Sequence, residues 1–221
     1  MMKMKDLSKL YGVLLLLHLS SLHVGEHSWL IILSKGSLLF VLGVWFYDQS
    51  RWKGQWALYF GVAQLLSWIG DLLLEVEGLF LFGLGTFLLA QLAYLRTFWT
   101  WIKGLEKSTV KWLLASIAPS ILFVFLVVPR AAAAGGLKIP ILVYAIVLSL
   151  VWTASLRLVL ANKTAYGFLA LGSTVFLISD ALLAFNLFLG ELPHASIFIM
   201  FTYGLAQYLY TYSASKELQK G

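Results

Sequence analysis

The sequence predicts an all-α integral membrane protein of eight transmembrane helices. Three observations predict it. Apolar residues make up 61% of the 221-residue chain and charged residues only 12%, about half of the roughly 25% charge that a soluble domain carries. Apolar runs approaching the ~20 residues needed to span a bilayer recur between charged breaks. Lys and Arg fall on alternate connections, as the positive-inside rule requires. A mean hydropathy of +0.87 places lipid, rather than water, around most of the surface. Residues 1–221 read as one polytopic domain with no room for a large water-soluble unit. The absence of Cys excludes disulfides, thiolate metal sites and Cys nucleophiles together.

Taken in order, the predicted spans run from Leu10 to Val24, Trp29 to Phe46, Trp56 to Leu74, Gly78 to Phe98, Trp112 to Val128, Ile139 to Leu160, Tyr166 to Leu189 and Ala195 to Ser213. The first is short and follows Lys3, Lys5 and Lys9 like the start of a signal peptide. No small-residue cleavage site follows, so it reads as an uncleaved helix. Trp29, Trp56, Trp99, Trp101 and Trp112 lie near predicted ends and read as interface anchors. Gly78, Gly83 and Gly85 read as points of close helix packing, and the run Arg130 to Gly136 as a flexible outer loop.

With the N-terminus in the cytoplasm, the inner segments hold Lys3, Lys5, Lys9, Arg51, Lys53, Arg96, Lys103, Lys107, Lys111, Arg157, Lys163, Lys216 and Lys220. The outer segments hold Arg130 and Lys138 with Glu26, Glu75, Glu77 and Glu191. Both termini are then cytoplasmic, and the membrane would be the inner one if the source is bacterial. The net charge of +6 is thereby read as topology and attraction to membrane lipids, not as a nucleic-acid surface.

An internal repeat is visible. Gly70-Asp71-Leu72-Leu73 followed by Leu89-Ala90-Gln91-Leu92-Ala93-Tyr94 is matched, about half a chain later, by Ser179-Asp180-Ala181-Leu182-Leu183 followed by Leu205-Ala206-Gln207-Tyr208-Leu209-Tyr210. This maps the third and fourth spans onto the seventh and eighth and suggests two parallel four-helix halves, about 1–105 and 106–221, with both aspartates in the outer half of the membrane. Chance matching in Leu-rich helices is the alternative.

Asp71 and Asp180 stand out because an ionisable side chain within a membrane helix costs at least about 2.5–3.5 kcal/mol on insertion scales. Facing one polar cavity, the two could divide the work of acid and base. As separate structural groups they would simply hydrogen-bond neighbouring helices or be wet from the outer surface. Lys35 is the natural counter-charge or phosphate ligand, or it snorkels to the interface. Gln91 and Gln207 occupy matching repeat positions. With Tyr94, Tyr144, Asn186 and Tyr210 they could orient water or a lipid head group, or bond between helices. His18 and His23 lack the i, i+4 spacing of a helical metal site, so no metal is expected.

Ser34-Lys35-Gly36, Gly70-Asp71-Leu72-Leu73, Leu88-Leu89-Ala90-Gln91-Leu92-Ala93-Tyr94, Tyr144, Ser179-Asp180-Ala181-Leu182-Leu183-Ala184-Phe185-Asn186 and Leu205-Ala206-Gln207 together resemble the YhhN-like lysoplasmalogenase family, in order and over most of the chain. The GD and SD-x-L-L-x-x-N elements are the more specific. A Lys-Pro-Leu sequence common in that family is Lys35-Gly36-Ser37 here, and a His often seen in its fourth-helix motif is Gln91. Both departures bear on the head-group contacts. The resemblance implies hydrolysis of the vinyl ether of a lysoplasmalogen to a fatty aldehyde and glycerophosphoethanolamine or glycerophosphocholine. It implies Asp71 and Asp180 as acid and base, Lys35, Gln91, Tyr144, Asn186 and Gln207 around the substrate, and no metal or organic cofactor.

Two other classes compete. A proton-coupled transporter of small molecules or lipids would also use intramembrane carboxylates, but expects broken helices that Pro119, Pro129, Pro140 and Pro193 do not supply at matching midpoints. An intramembrane aspartyl protease would need a Gly-x-Gly-Asp sequence, and Trp68 stands where its first Gly belongs.

Overall fold

The structure is a computed structural model that describes residues 3–24, 28–102, 114, 121, 137–161, 166–188, 190 and 192–219. Seven helices are described and no strand is present among the described residues: α1 (Met4–Val24), α2 (Ser28–Ser50), α3 (Gln55–Leu74), α4 (Phe80–Ile102), α5 (Lys138–Leu160), α6 (Gly167–Phe188) and α7 (Ala195–Leu218). Five of them, α2 through α6, are long and apolar enough to cross a membrane. The predicted span Trp112 to Val128 lies outside the described residues apart from Leu114 and Ile121, which are helical and exposed. The expectation of eight spans is met as far as an all-helical membrane protein with these five.

Most ends fall close to the expected ones. The exceptions are the outer helices, because α1 begins at Met4 and α7 continues to Leu218, so the charged flanks are helical rather than merely adjacent. α7 is rich in polar residues and buries half of its length. It packs on α6, α1 and α2 and reaches α3 and α4 by hydrogen bonds, Gln64 Nε2 donating to Thr211 Oγ1 at 2.8 Å and Tyr94 OH to Gln207 Oε1 at 2.8 Å. α1 docks on it through the Tyr11 hydroxyl, which donates to the carbonyl of Gly204 at 2.8 Å. With little hydrophobic force between helices in lipid, such bonds and close packing hold a bundle together.

Close packing is visible at α3 and α4. A methyl group at Gly70 would lie 2.7 Å from the Phe87 ring, and one at Gly83 would lie 2.6 Å from Leu74. The small residue beside Asp71 therefore lets α4 come close enough to wall the carboxylate in. Of the other two glycines expected at a helix contact, Gly78 instead takes φ 82° in the α3–α4 turn, and a methyl group at Gly85 would meet nothing within 4 Å. Trp29 and Trp99 are exposed, as interface anchors are. Trp101 is buried at 6% exposure, stacked on Phe98 and Tyr166. It belongs to the core because rings from α4 and the start of α6 close over it.

The bundle has a consistent polarity. Leu84 of α4 and Leu137, just before α5, pack on one small cluster of Ile141 and Ala184, while Trp101 near the end of α4 meets Tyr166 just before α6. α4 and α5 thus run in the same direction, and Ile102 and Leu137 lie at opposite ends. Glu75 and Glu77 sit at one end, in the α3–α4 turn. Arg51 and Lys53 sit at the other, in the α2–α3 turn, where Arg51 pairs with Asp48 at 2.7 Å.

Candidate active site

At the Glu75 end the helix termini splay around a cavity of about 120 Å³, several times the roughly 10–15 Å³ that one water needs on the same measure. Every described helix except α1 contributes: Lys35 from α2, Asp71 and Leu74 from α3, Phe80, Leu84 and Phe87 from α4, Ile141 and Tyr144 from α5, Ser179, Asp180, Leu183, Ala184, Leu187 and Phe188 from α6, and Ile199, Met200 and Tyr203 from α7. The side formed by α2 and α3 brings charge. The side formed by α4 and by the last residues of α6, from Leu183 to Phe188, is hydrocarbon, and Asp180 comes from earlier in α6 as the second carboxylate. Phe80 to Phe87 open α4, Ile141 and Tyr144 open α5, and Leu183 to Phe188 close α6, so all of them reach the cavity from the same end of the bundle.

Asp71 lies in the last turn of α3 and is 2% exposed. Its Oδ2 accepts a 2.9 Å hydrogen bond from the Tyr203 hydroxyl. That hydroxyl in turn accepts from Gln207 Nε2 at 3.3 Å, and Gln207 Oε1 accepts from Tyr94. On its other side, Oδ1 lies 3.9 Å from Lys35 Nζ. Lys35 is itself buried, and donates to Glu75 Oε1 at 2.6 Å. It does not snorkel. One turn separates Asp71 from Glu75, so both carboxylates project toward α2 and share one ammonium.

Asp180 stands two turns from the end of α6, about 12 Å at the helical rise, and stays partly accessible on the cavity wall. Its Oδ2 accepts a short hydrogen bond from Tyr144. Among the described residues no cation lies within ion-pair distance of it. Ser179 beside it donates to the carbonyl of Ile199 at 3.0 Å, tying α6 to α7.

Of the residues singled out in the sequence, Lys35, Asp71, Tyr144 and Asp180 line the cavity. Gln207 stands behind Asp71 rather than on the wall. Gln91 is also off the wall and fully buried, and neither of its amide atoms makes a hydrogen bond of good geometry, although the Tyr144 hydroxyl is close by. Asn186 is elsewhere: its Oδ1 accepts from the Leu192 backbone N–H at 3.0 Å and fixes the turn between α6 and α7. Tyr210 donates to Ser173 Oγ at 3.1 Å. His18 is buried, its Nδ1 2.8 Å from Ser34 Oγ.

Sequence reasoning missed two residues. The charge pattern places Glu75 in an outer segment, yet it caps α3 and holds Lys35. Its place one turn after Asp71 was the available signal. Tyr203 precedes Gln207 by one turn and so shares its helical face, but a Tyr among four in the same helix carries no mark of its own.

The fold and the cavity together define a polytopic helical membrane protein in which two carboxylates, brought by separate helices, face one largely apolar chamber. α3 and α6 run unbroken through both of them. The chain belongs to the YhhN family, whose model matches residues 30–214. No curated protein and no solved structure matches the chain.

Proposed function

We propose that this protein is a lysoplasmalogenase, an ether hydrolase that cleaves the vinyl ether of a lysoplasmalogen by carboxylate acid–base catalysis. Membership of the YhhN family supports the class of reaction. The observation that carries the reading is the pairing of Asp71 and Asp180 on one cavity with a hydrocarbon wall. Such a wall suits a single alkenyl chain, and the position of the cavity among apolar helices suits entry of that chain from the bilayer.

A vinyl ether reacts once a proton is added to the carbon remote from oxygen, which leaves an oxocarbenium ion. Water then adds to the carbon bearing oxygen and loses a proton, giving a hemiacetal. The hemiacetal loses its hydroxyl proton and expels the glycerol oxygen, which is protonated as it leaves, and an aldehyde results. Asp180 is the proton donor in this proposal, since among the described residues no cation lies within ion-pair distance of it and Tyr144 fixes its direction. Asp71 is the carboxylate. Lys35 at 3.9 Å and the Tyr203 hydroxyl balance its charge, so it can stabilise the cation and receive the proton of the attacking water. Lys35 holds the phosphate. Gln207 positions Tyr203, Gln91 lies behind Tyr144, and no cofactor takes part in the scheme.

The same reading includes eight spans with both termini cytoplasmic. α4 and α5 run in parallel, which supports a further crossing between Ile102 and Leu137, and the predicted Trp112 to Val128 span supplies it. The cavity then opens on the outer face, opposite the Arg51 and Lys53 turn. Purified protein given a lysoplasmalogen and its saturated ether analogue tests the function. Aldehyde should appear from the first only. Absence of aldehyde together with movement of the lipid across vesicles would replace the hydrolase with a transporter.

A further inference from the structure

We infer that Lys35 and Glu75 form a head-group site for a zwitterionic lysophospholipid, in which Lys35 takes the phosphate and Glu75 the ammonium. The inference rests on the hydrolase reading and extends it to the choice of substrate. Lys35 Nζ lies on the cavity wall with its side chain 8% exposed, while its partner Glu75, 2.6 Å away, is 28% exposed at the cavity's end of the bundle. One member of the pair faces the chamber and the other faces water. An amphiphile whose chain lies in the chamber would cross the pair at its head group.

The charge count selects among head groups. Lys35 is shared between two carboxylates, Glu75 at 2.6 Å and Asp71 at 3.9 Å. A purely anionic head group drawn to Lys35 would displace Glu75 and leave three negative groups around one ammonium. A head group that carries its own cation one short spacer beyond the phosphate exchanges the Lys35–Glu75 pair for two pairs, phosphate with Lys35 and ammonium with Glu75. The position of Glu75 points the same way. It caps the C-terminus of α3, where the helix dipole disfavours a negative charge and favours an added cation.

The test uses the full-length purified protein with three alkenyl substrates alike in chain: glycerophosphoethanolamine, glycerophosphocholine and the amine-free glycerol phosphate. Wild type should show a KM at least about tenfold lower for the two zwitterions, the scale of one charge-assisted contact. Glu75→Gln should erase most of that ratio by raising KM for the zwitterions and lowering it for the anion, with kcat nearly constant. Lys35→Met should raise KM for all three. An unchanged ratio in Glu75→Gln, or an equal fall in kcat for every substrate, overturns the site. Binding of the saturated ether analogues of the same lipids, followed by tryptophan fluorescence, reads the ratio without turnover. If aldehyde release fails while that binding ratio responds to Glu75→Gln, the hydrolase reading falls and the head-group site stands. A binding ratio indifferent to Glu75 removes the site.

Discussion

The α3–α4 and α6–α7 hairpins bring the same sequence elements to the cavity and leave their aspartates in different states. Asp71 is enclosed, 2% exposed, with an ammonium on one oxygen and a tyrosine on the other, and that tyrosine is held by Gln207 and, through it, by Tyr94. Asp180 is more open and, among the described residues, is held by Tyr144, behind which the amide of Gln91 makes no good hydrogen bond. We read the hairpins as copies of one repeat. The parallel helices α4 and α7 support this where they touch, since Phe87 meets Tyr203 at 5.9 Å and Tyr94 meets Tyr210 at 4.8 Å between ring centres. Each pair has the same sequence separation as Gln91 and Gln207, as expected when equivalent residues face each other across a two-fold axis. In the proposed mechanism, the neighbours that each aspartate acquires, rather than its own motif, make one the acid and the other the base.

The largest expected effect breaks the comparison outright. Asp71→Asn and Asp180→Asn should each reduce kcat by about 10²- to 10⁴-fold, since Asn keeps the size but neither gives a carboxylic proton nor carries charge. Added formate should rescue truncations to Gly in opposite ways, Asp180→Gly through formic acid and so more as pH falls, Asp71→Gly through the formate ion and so more as pH rises. The reverse pH trends would mean that the two roles are exchanged. Near wild-type turnover in either variant removes that aspartate from the chemistry.

A smaller effect sharpens it. Tyr203→Phe and Tyr144→Phe each remove one hydrogen bond to a carboxyl group, worth about 1.5–3 kcal/mol if the group is charged and about 0.5–1.5 if it is not. Turnover should therefore fall more in Tyr203→Phe than in Tyr144→Phe. Equal losses would mean that both carboxyls are in the same charge state. Smallest is the contrast behind them. Gln207→Leu leaves the Tyr94 hydroxyl without its acceptor and takes from the Tyr203 hydroxyl the donor behind it, and should lower thermal stability in detergent by roughly 1–3 kcal/mol, whereas Gln91→Leu removes an amide that makes no hydrogen bond of good geometry and should be near neutral. A stability loss in Gln91→Leu as large as in Gln207→Leu would show that Gln91 has a partner of equal weight.

Much of this was legible in the sequence, for physical reasons that differ by residue. Helix positions were readable because lipid demands long apolar runs, and Asp71, Asp180 and Lys35 because charge inside such a run is costly enough to need an explanation. The roles of the glutamines were not. Gln91 and Gln207 share one motif, yet only Gln207 meets two tyrosine hydroxyls, and which helix a side chain meets is set by bundle packing that a single run does not encode. Asn186 failed for a related reason, since its proximity to Asp180 along the chain concealed that it faces the following turn. Trp101 was misplaced because a Trp near a helix end reads as an interface anchor whether or not another helix covers it.

The Lys35 ion pairs also bear on the order in which the protein is made. α2 is complete at Ser50, but Asp71 and Glu75 are synthesised only with the end of α3. Until then a lone ammonium within the bilayer costs roughly 2.5–3.5 kcal/mol. α2 should therefore linger at the insertion machinery and enter the lipid together with α3 as a neutralised hairpin. A translocation reporter fused after residue 50 should show poorer integration than one fused after residue 78, and the combined Asp71→Asn and Glu75→Gln change should erase the advantage of the longer piece. On that outcome the ion pairs at the cavity also set the order in which α2 and α3 enter the membrane.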